Sequence, residues 1–289
     1  MVKYRIGIIG SENSHARAFA KVFCQEPDFC DMIVTAVYGD EGIEKSQRVQ
    51  EFFPDAVIVE TPEQMLGMVD AVMITSRDGV LHYPYAKPFL EAGIPMFVDK
   101  PFTVDPDEAR ALVALAKKNR VPLCGGSSLK CCPDVVKMGN TRQELGETLL
   151  TGFASAPLAP NSPYSGFYFY ASHLVELCLA VFGWEPEAVT ARNNGGKVTA
   201  ILHYPTFDAA CAYTPECYRY FVQLTGRGDV LEAVEIDLAP AYYLEAEEFA
   251  QMLRTGSMPY SYEQLMEPVF CMNAIEASYK SGKTVRIER

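Results

Sequence analysis

The chain has 289 residues, more than one hydrophobic core usually serves, so two domains are expected. It is 49% hydrophobic and 21% charged, enough to pack a core and too apolar for long disorder. Lys and Arg number 25 against 37 Asp and Glu, a formal charge of −12, and no basic run interrupts it; a nucleic-acid partner is not expected.

Residues 3–9 form a β-branched run that stops at Gly10, and Ser11 to Ser14 supply turn and cap residues. Ala16, Phe19, Ala20 and Phe23 then repeat at helical spacing, so the opening is strand, tight turn, helix. The same alternation continues with a strand over 32–38, a helix over 44–53, a short strand over 56–59, a helix start at Thr61 and a strand over 71–75. It goes on with a helix over 85–92, a strand over 96–98, a helix over 106–119 capped by Asp105, and a strand over 121–124. Strands alternating with helices predict a Rossmann-type, doubly wound parallel sheet in an α/β domain over residues 1–125.

The pattern changes after Gly125-Gly126. Five extended segments, 149–155, 188–193, 197–204, 207–213 and 218–225, are separated by turns such as Asn193-Asn194-Gly195-Gly196. One helix, 171–182, lies early among them, and two more, 241–255 and 261–281, follow. This predicts an α+β domain over 126–289 with a large, mostly antiparallel open sheet. An uncovered sheet face, carrying Tyr218, Tyr220, Val222 and Leu224 or their alternates, predicts a homodimer or homotetramer.

The run Ile6 to Ile9 is too short for a secretion signal, and no stretch approaches the roughly 18 apolar residues that span a bilayer. Nine scattered cysteines without Cys-x-x-Cys spacing read as reduced thiols in the cytoplasm, with no metal site.

Four segments carry chemistry. Gly10 ends a strand before a helix, where free backbone N–H groups can meet an anion. Only the first glycine of the G-x-G-x-x-G pattern is present; Glu12 and His15 occupy the places of the other two. A carboxylate about 4 Å from a pyrophosphate charge costs about 4 kcal/mol at an effective dielectric of 20. So either Glu12 points away, or nucleotide binding is weak or absent, and a plain turn capped by Asn13 or Ser14 is the competing reading. Asp40, after Gly39 at the second strand's end, would meet the adenosine ribose and favour NAD over NADP by charge, although Gly39 at the strand end is also compatible with NADP, or be an ordinary turn residue. Lys100, in Asp99-Lys100-Pro101, sits at the C-terminal sheet edge where ligands bind; it can hold a substrate hydroxyl, with Asp99 as ion-pair partner, or be a solvated surface pair. His173 and Glu176 lie three apart on a polar stripe beside the core stripe Leu174, Leu177, Cys178 and Val181; His173 is a proton-transfer group or a satisfied structural residue. Tyr164, Tyr168, Tyr170, Tyr242 and Tyr243 could line a carbohydrate pocket or pack.

Taken together, these segments resemble the Gfo/Idh/MocA family of sugar-type oxidoreductases. The resemblance rests on Ile6-Gly7-Ile8-Ile9-Gly10, the strand 69–75 followed by His82, Leu90-Glu91-Ala92-Gly93-Ile94-Pro95 leading to Asp99-Lys100-Pro101, His173-x-x-Glu176, and the ending 278–287. It implies NAD or NADP on the first domain, contacted by Gly10, Ser11, Asn13, Ser14, His15, Asp40, Ser76, His82 and Lys100. It also implies a polyol, sugar or sugar acid on the second, with Lys100 and His173 catalytic. Phe169 stands where the family often has an aspartate. Ser11 to His15, Arg77-Asp78-Gly79 and Ser127 to Lys130 mark a divergent branch. The resemblance leaves open an enzyme that retains NAD for lyase, epimerase or glycosidase chemistry, and a non-redox binding protein on the same scaffold.

Overall fold

A computed structural model describes residues 4–289 and divides them into two compact units. The first contains the chain up to Gly126 together with Tyr242–Leu265; the second contains Ser127–Ala241 and Met266–Arg289.

The first unit runs β1 (Tyr4–Ile9), α1 (Ser14–Gln25), β2 (Met32–Tyr38), α2 (Ile43–Gln50), β3 (Val57–Ile58), β4 (Ala71–Ile74), α3 (His82–Glu91), β5 (Met96–Asp99), α4 (Pro106–Asn119) and β6 (Leu123–Gly126). Its six strands are parallel in the order β3-β2-β1-β4-β5-β6. The order reverses between β1 and β4, which is where open α/β sheets place ligands. β4 and β5 are buried on both faces, hence their continuous apolar runs. The inward face of α1 is Ala16, Phe19, Ala20 and Phe23, as its period predicts. In α4, Asp105 accepts from the Asp107 N–H at 2.7 Å, and Lys117 and Lys118 occupy the last turn, where cations suit the helix dipole.

The second unit opens with α5 (Pro133–Leu145), then β7 (Leu149–Leu158), α6 (Tyr168–Phe182), β8 (Ala188–Asn194), β9 (Lys197–His203), β10 (Asp208–Pro215), β11 (Phe221–Gly226) and β12 (Val230–Glu235). The chain continues with α7 (Ala241–Thr255), which from Tyr242 belongs to the first unit, then α8 (Tyr262–Ser281), in the second unit from Met266, and β13 (Val285–Arg286). The sheet order is β12-β11-β7-β10-β9-β8-β13, antiparallel except for the parallel pair β7/β10. No helix among the described residues is long and apolar enough to cross a membrane.

Three features depart from the sequence expectation. The segment 242–265, expected in the domain 126–289, clusters with the first unit. The cause is α7, whose Ala246, Phe249, Ala250 and Met252 join the core of Phe19, Phe23 and Phe97, while Arg254 pairs with Asp31 at 2.6 Å. Helix α5 is additional to the predicted elements: it buries only Val135 and Met138, too few apolar positions to show a period. Strand β12 is almost wholly exposed and is held by its ladder to β11, so its side chains carry no alternation.

Val222 and Leu224 of β11 are buried in the second core, as is Tyr220 just before the strand, so the alternates face the other way. Phe221, Gln223 and Thr225 are half-buried there, and Phe221 meets Phe153 of β7 with ring centroids 6.2 Å apart.

Candidate functional site

The turn after β1 is closed on itself. Gly10 has φ +95°, and a Cβ there would collide with the Ser76 backbone at the end of β4; glycine is required twice over. At Gly39 the constraint is space alone, since a side chain there would strike the Ser11 hydroxyl, which sits 2.7 Å from Ser46 Oγ of α2. The Gly10 and Ser11 N–H groups donate to Tyr38 O at 2.9 and 3.0 Å, and Asn13 N–H donates to Gly10 O at 3.1 Å. Asn13 caps α1 by accepting from the His15 N–H at 3.3 Å. The backbone donors that a glycine-rich loop offers to pyrophosphate are therefore largely spent inside the turn.

Glu12 is 5% exposed and turned inward. Its Oε1 accepts from the Arg77 N–H at 3.0 Å, and Arg77 Nη2 donates to Glu12 O at 2.8 Å, clipping the β1 turn to the segment after β4. Burial pushes its carboxyl above the usual carboxylate range, against the backbone N–H groups of Arg77, Glu12 and Asp40. Glu12 Oε2 and Ser76 Oγ are buried and make no hydrogen bond, which leaves polar capacity at this edge for a bound group.

Beside this turn, Asp99 at the end of β5 is fully buried. Its partner is His15 rather than the Lys100 ammonium that adjacency suggests: His15 Nδ1 lies 2.6 Å from Asp99 Oδ2, Asn13 Nδ2 donates to the same oxygen at 3.5 Å, and the Lys100 backbone N–H donates to Oδ1 at 2.7 Å. Burial pushes the Asp99 carboxyl up, but the His15 charge and hydrogen bond, helped by Lys100, hold it below its ordinary value. Lys100 is only 4% exposed, which removes the solvated-pair reading.

His82, which the family resemblance sets against a cofactor, is fully buried. Its Nδ1 lies 2.7 Å from Pro101 O and its Nε2 2.8 Å from Ser76 O, so both ring nitrogens brace the backbone on either side of the sheet edge. Asp40 Oδ1 accepts from the Tyr38 and Tyr85 hydroxyls, both at 2.7 Å. Ser11, Asn13 and Ser14 line a pocket with Arg17, Lys45, Arg48 and Arg77, four cations in a chain of net charge −12.

The second unit holds another buried polar cluster. Helix α6 is buried from Ala171 to Leu179, so His173 and Glu176 are enclosed rather than on a solvated stripe. His173 Nδ1 lies 2.7 Å from Ser127 Oγ. Glu176 Oε2 accepts from the Ser127 N–H at 2.7 Å and from Lys130 Nζ at 2.8 Å, with both side chains of the ion pair 3% exposed. Tyr170 and Tyr220 meet the His173 ring edge-on at 5.6 and 6.0 Å, and Phe169 packs on Tyr170 and Tyr164. Of the other tyrosines singled out, Tyr242 packs edge-on to His15 and Phe19 in the first unit, and Tyr243 donates to Asp28 at 2.6 Å.

Residues 4–126 match the profile of the Gfo/Idh/MocA oxidoreductase family, described as an NAD-binding Rossmann fold. The likeness to that family's Rossmann domain thus covers residues 4–126. An uncharacterized oxidoreductase YdgJ of Escherichia coli strain K12 is 34% identical over 119 residues, 39% of this chain and 31% of that protein. A UDP-N-acetylglucosamine 3-dehydrogenase of Acidithiobacillus ferrooxidans is 27% identical over 143 residues, 47% of this chain and 40% of that protein. The match thus spans well under half the length of either curated relative. Among solved structures, GenD2 from gentamicin A biosynthesis in complex with NAD superposes with TM-score 0.86 at 16% identity, covering 100% of this chain and 97% of that one. A scyllo-inositol dehydrogenase from Lactobacillus casei with NAD(H) and scyllo-inositol gives 0.82 at 13%, covering 99% of both. At these identities the likeness establishes the fold.

Within that Gfo/Idh/MocA fold, the residues that sequence reasoning leaves without a role are Ser127 and Lys130, and the cations around the first turn. Ser127 to Lys130 stand out only as an unusual string. Their partners lie 46 and 49 residues further along, a separation at which no local period exists.

Proposed function

We propose that the chain is an NAD(P)-dependent oxidoreductase acting on a sugar, polyol or sugar acid. A bound nicotinamide dinucleotide would supply the hydride acceptor or donor. The residues available to hold it are Gly10, Ser11, Asn13, Ser14 and Ser76 at the β1/β4 edge. His15 supports that edge through Asp99, and His82 does so through the backbone. Lys100 would bind the reacting substrate oxygen and stabilise it as its proton leaves or arrives, and His173 would take or return that proton.

The observation that carries this reading is Lys100. That a lysine at the end of a central parallel strand is 4% exposed and anchored through its backbone to Asp99 supports a role in chemistry rather than solubility. The named activity of the UDP-N-acetylglucosamine 3-dehydrogenase relative supports a carbohydrate substrate. Mass spectrometry of the native protein for bound nucleotide, then a screen of polyols and sugar acids for a nicotinamide absorbance change, tests the reading. Lys100→Met should abolish turnover while nucleotide still binds; wild-type rates in that variant would refute the mechanism.

The closed turn favours a second reading, a binding protein on the same scaffold, and failure to bind either dinucleotide would select it. Cofactor that copurifies without being consumed would instead select an NAD-retaining lyase, epimerase or glycosidase.

We also propose a homo-oligomer paired through the face that carries Phe153 and Phe221, and a cytoplasmic location, which suits nine free thiols. Light scattering should give a dimer or tetramer at micromolar concentration, and Phe221→Glu should shift it towards monomer.

A further inference from the structure

We infer that the pocket between α1 and α2 receives the 2′-phosphate of a phosphorylated dinucleotide, so that this chain selects NADP(H) over NAD(H). The inference rests on the nucleotide-binding reading above and deepens it.

The pocket brings Arg17 of α1, Lys45 and Arg48 of α2, and Arg77 together with the hydroxyls of Ser11 and Ser14. Lys45 and Arg48 are three apart on one helix face, and among the described residues neither makes an ion pair or hydrogen bond through its side chain. Arg17 shares its charge with the exposed Glu51 at 2.9 Å, and Arg77 spends Nη2 on Glu12 O. Two cations are thus uncommitted in a protein whose net charge is −12. The one carboxyl in the lining is Glu12, which is 5% exposed and turned inward, its Oε1 held by the Arg77 N–H.

Two further observations narrow the ligand. The cavity is about 230 Å³, below the roughly 300–1,000 Å³ of a whole small-molecule site, so it suits one end of a larger ligand. The turn's own N–H groups of Gly10, Ser11 and Asn13 are consumed internally, so an anion here must be met by side chains. Cationic side chains with hydroxyls beside the β2 end are the chemistry that recognises a phosphate monoester on ribose. Asp40, which by charge alone would oppose that phosphate, lies outside the lining, and its Oδ1 is engaged by two tyrosine hydroxyls.

The test measures binding by calorimetry of 5′-AMP, 5′-ADP, 2′,5′-ADP, NAD(H) and NADP(H) to the full chain and to Lys45→Ala/Arg48→Ala, with thermal unfolding as the folding control. The expected result is 2′,5′-ADP at least ~10-fold tighter than 5′-AMP, NADP(H) tighter than NAD(H) by a similar factor, and both advantages lost in the variant. Equal affinities, or NAD(H) the tighter, would overturn the inference and leave nucleotide binding intact. A variant that weakens 5′-ADP and 2′,5′-ADP alike would overturn it in favour of a pyrophosphate contact. Should none of the five bind, the nucleotide-binding reading fails and takes this inference with it.

Discussion

Each unit of this chain encloses a histidine whose Nδ1 meets a single oxygen, and the two oxygens differ in charge. In the first unit His15 faces the buried carboxylate of Asp99 at 2.6 Å; in the second, His173 faces the Ser127 hydroxyl at 2.7 Å. A carboxylate can only accept, so His15 Nδ1–H is the donor, and the contact fastens the first turn to the end of β5. A hydroxyl can either donate or accept, so the Ser127 contact is compatible with His173 Nδ1 as donor or as acceptor. The histidine–carboxylate pair lies in the Rossmann unit. His173 lies in the unit where proton transfer is proposed. In the second unit the carboxylate, Glu176, is set one step back, neutralising Lys130 and holding the Ser127 N–H.

The comparison breaks most sharply at His173. His173→Ala should lower kcat by roughly 10²–10⁴-fold, the usual contribution of one acid–base group. Ser127→Ala should cost less, because a positioned imidazole survives. Ser127→Asp would give the second unit the partner that the first already has; it should raise the His173 pKa and move the pH–rate profile upward. A profile unmoved by Ser127→Asp would detach Ser127 from the proton-transfer step.

Stability sharpens the same contrast. Glu176→Gln removes the carboxylate that faces the enclosed Lys130, and should destabilise the fold by about 3–5 kcal/mol in urea titration. Lys130→Met combined with Glu176→Leu should recover much of that loss, since replacing a whole buried pair by apolar groups is often neutral. If the single and double variants were equally unstable, the pair would not be the source of the cost.

The smallest effect is expected at Glu12. Its folded pKa is raised, so ionisation works against the native state once pH climbs through that value, whereas below the unfolded value the contribution vanishes. Glu12→Gln should therefore gain stability relative to the parent chain at pH 8 and not near pH 4, read as the difference in urea midpoint at the two pH values. Asp99 has the opposite sign: its lowered pKa adds stability above the ordinary carboxylate range, and that stability is lost as pH falls through the folded value. An Asp99→Asn variant should accordingly show a shallower loss of stability in acid than the parent chain.

The parallel sheet is legible because its strands and helices write their own periods. Residues 32–38 and 106–119 are bounded in the structure as the sequence places them, by a strand ending at Gly39 and a helix opening at Asp105-Pro106. Lys100 is legible too, since a strand running into Lys-Pro puts the lysine at a sheet edge. The exposed strand β12 and the sparsely buried α5 are not, because edge pairing and partial docking leave no apolar rhythm.

What the sequence determined by itself was the order of elements, the change from alternating to consecutive strands after Gly126, and the candidacy of Lys100 and His173. Only the tertiary structure decided which polar groups are partners. Asp99 sits next to Lys100 in the chain yet turns its carboxylate to His15, 84 residues away, and Glu176 answers Lys130 across 46 residues. It also decided that α7 completes the first core rather than the second. The reason is the same in each case. Local periodicity encodes which face of an element is apolar, whereas a buried charge must find its counter-charge wherever the fold brings one within hydrogen-bond reach.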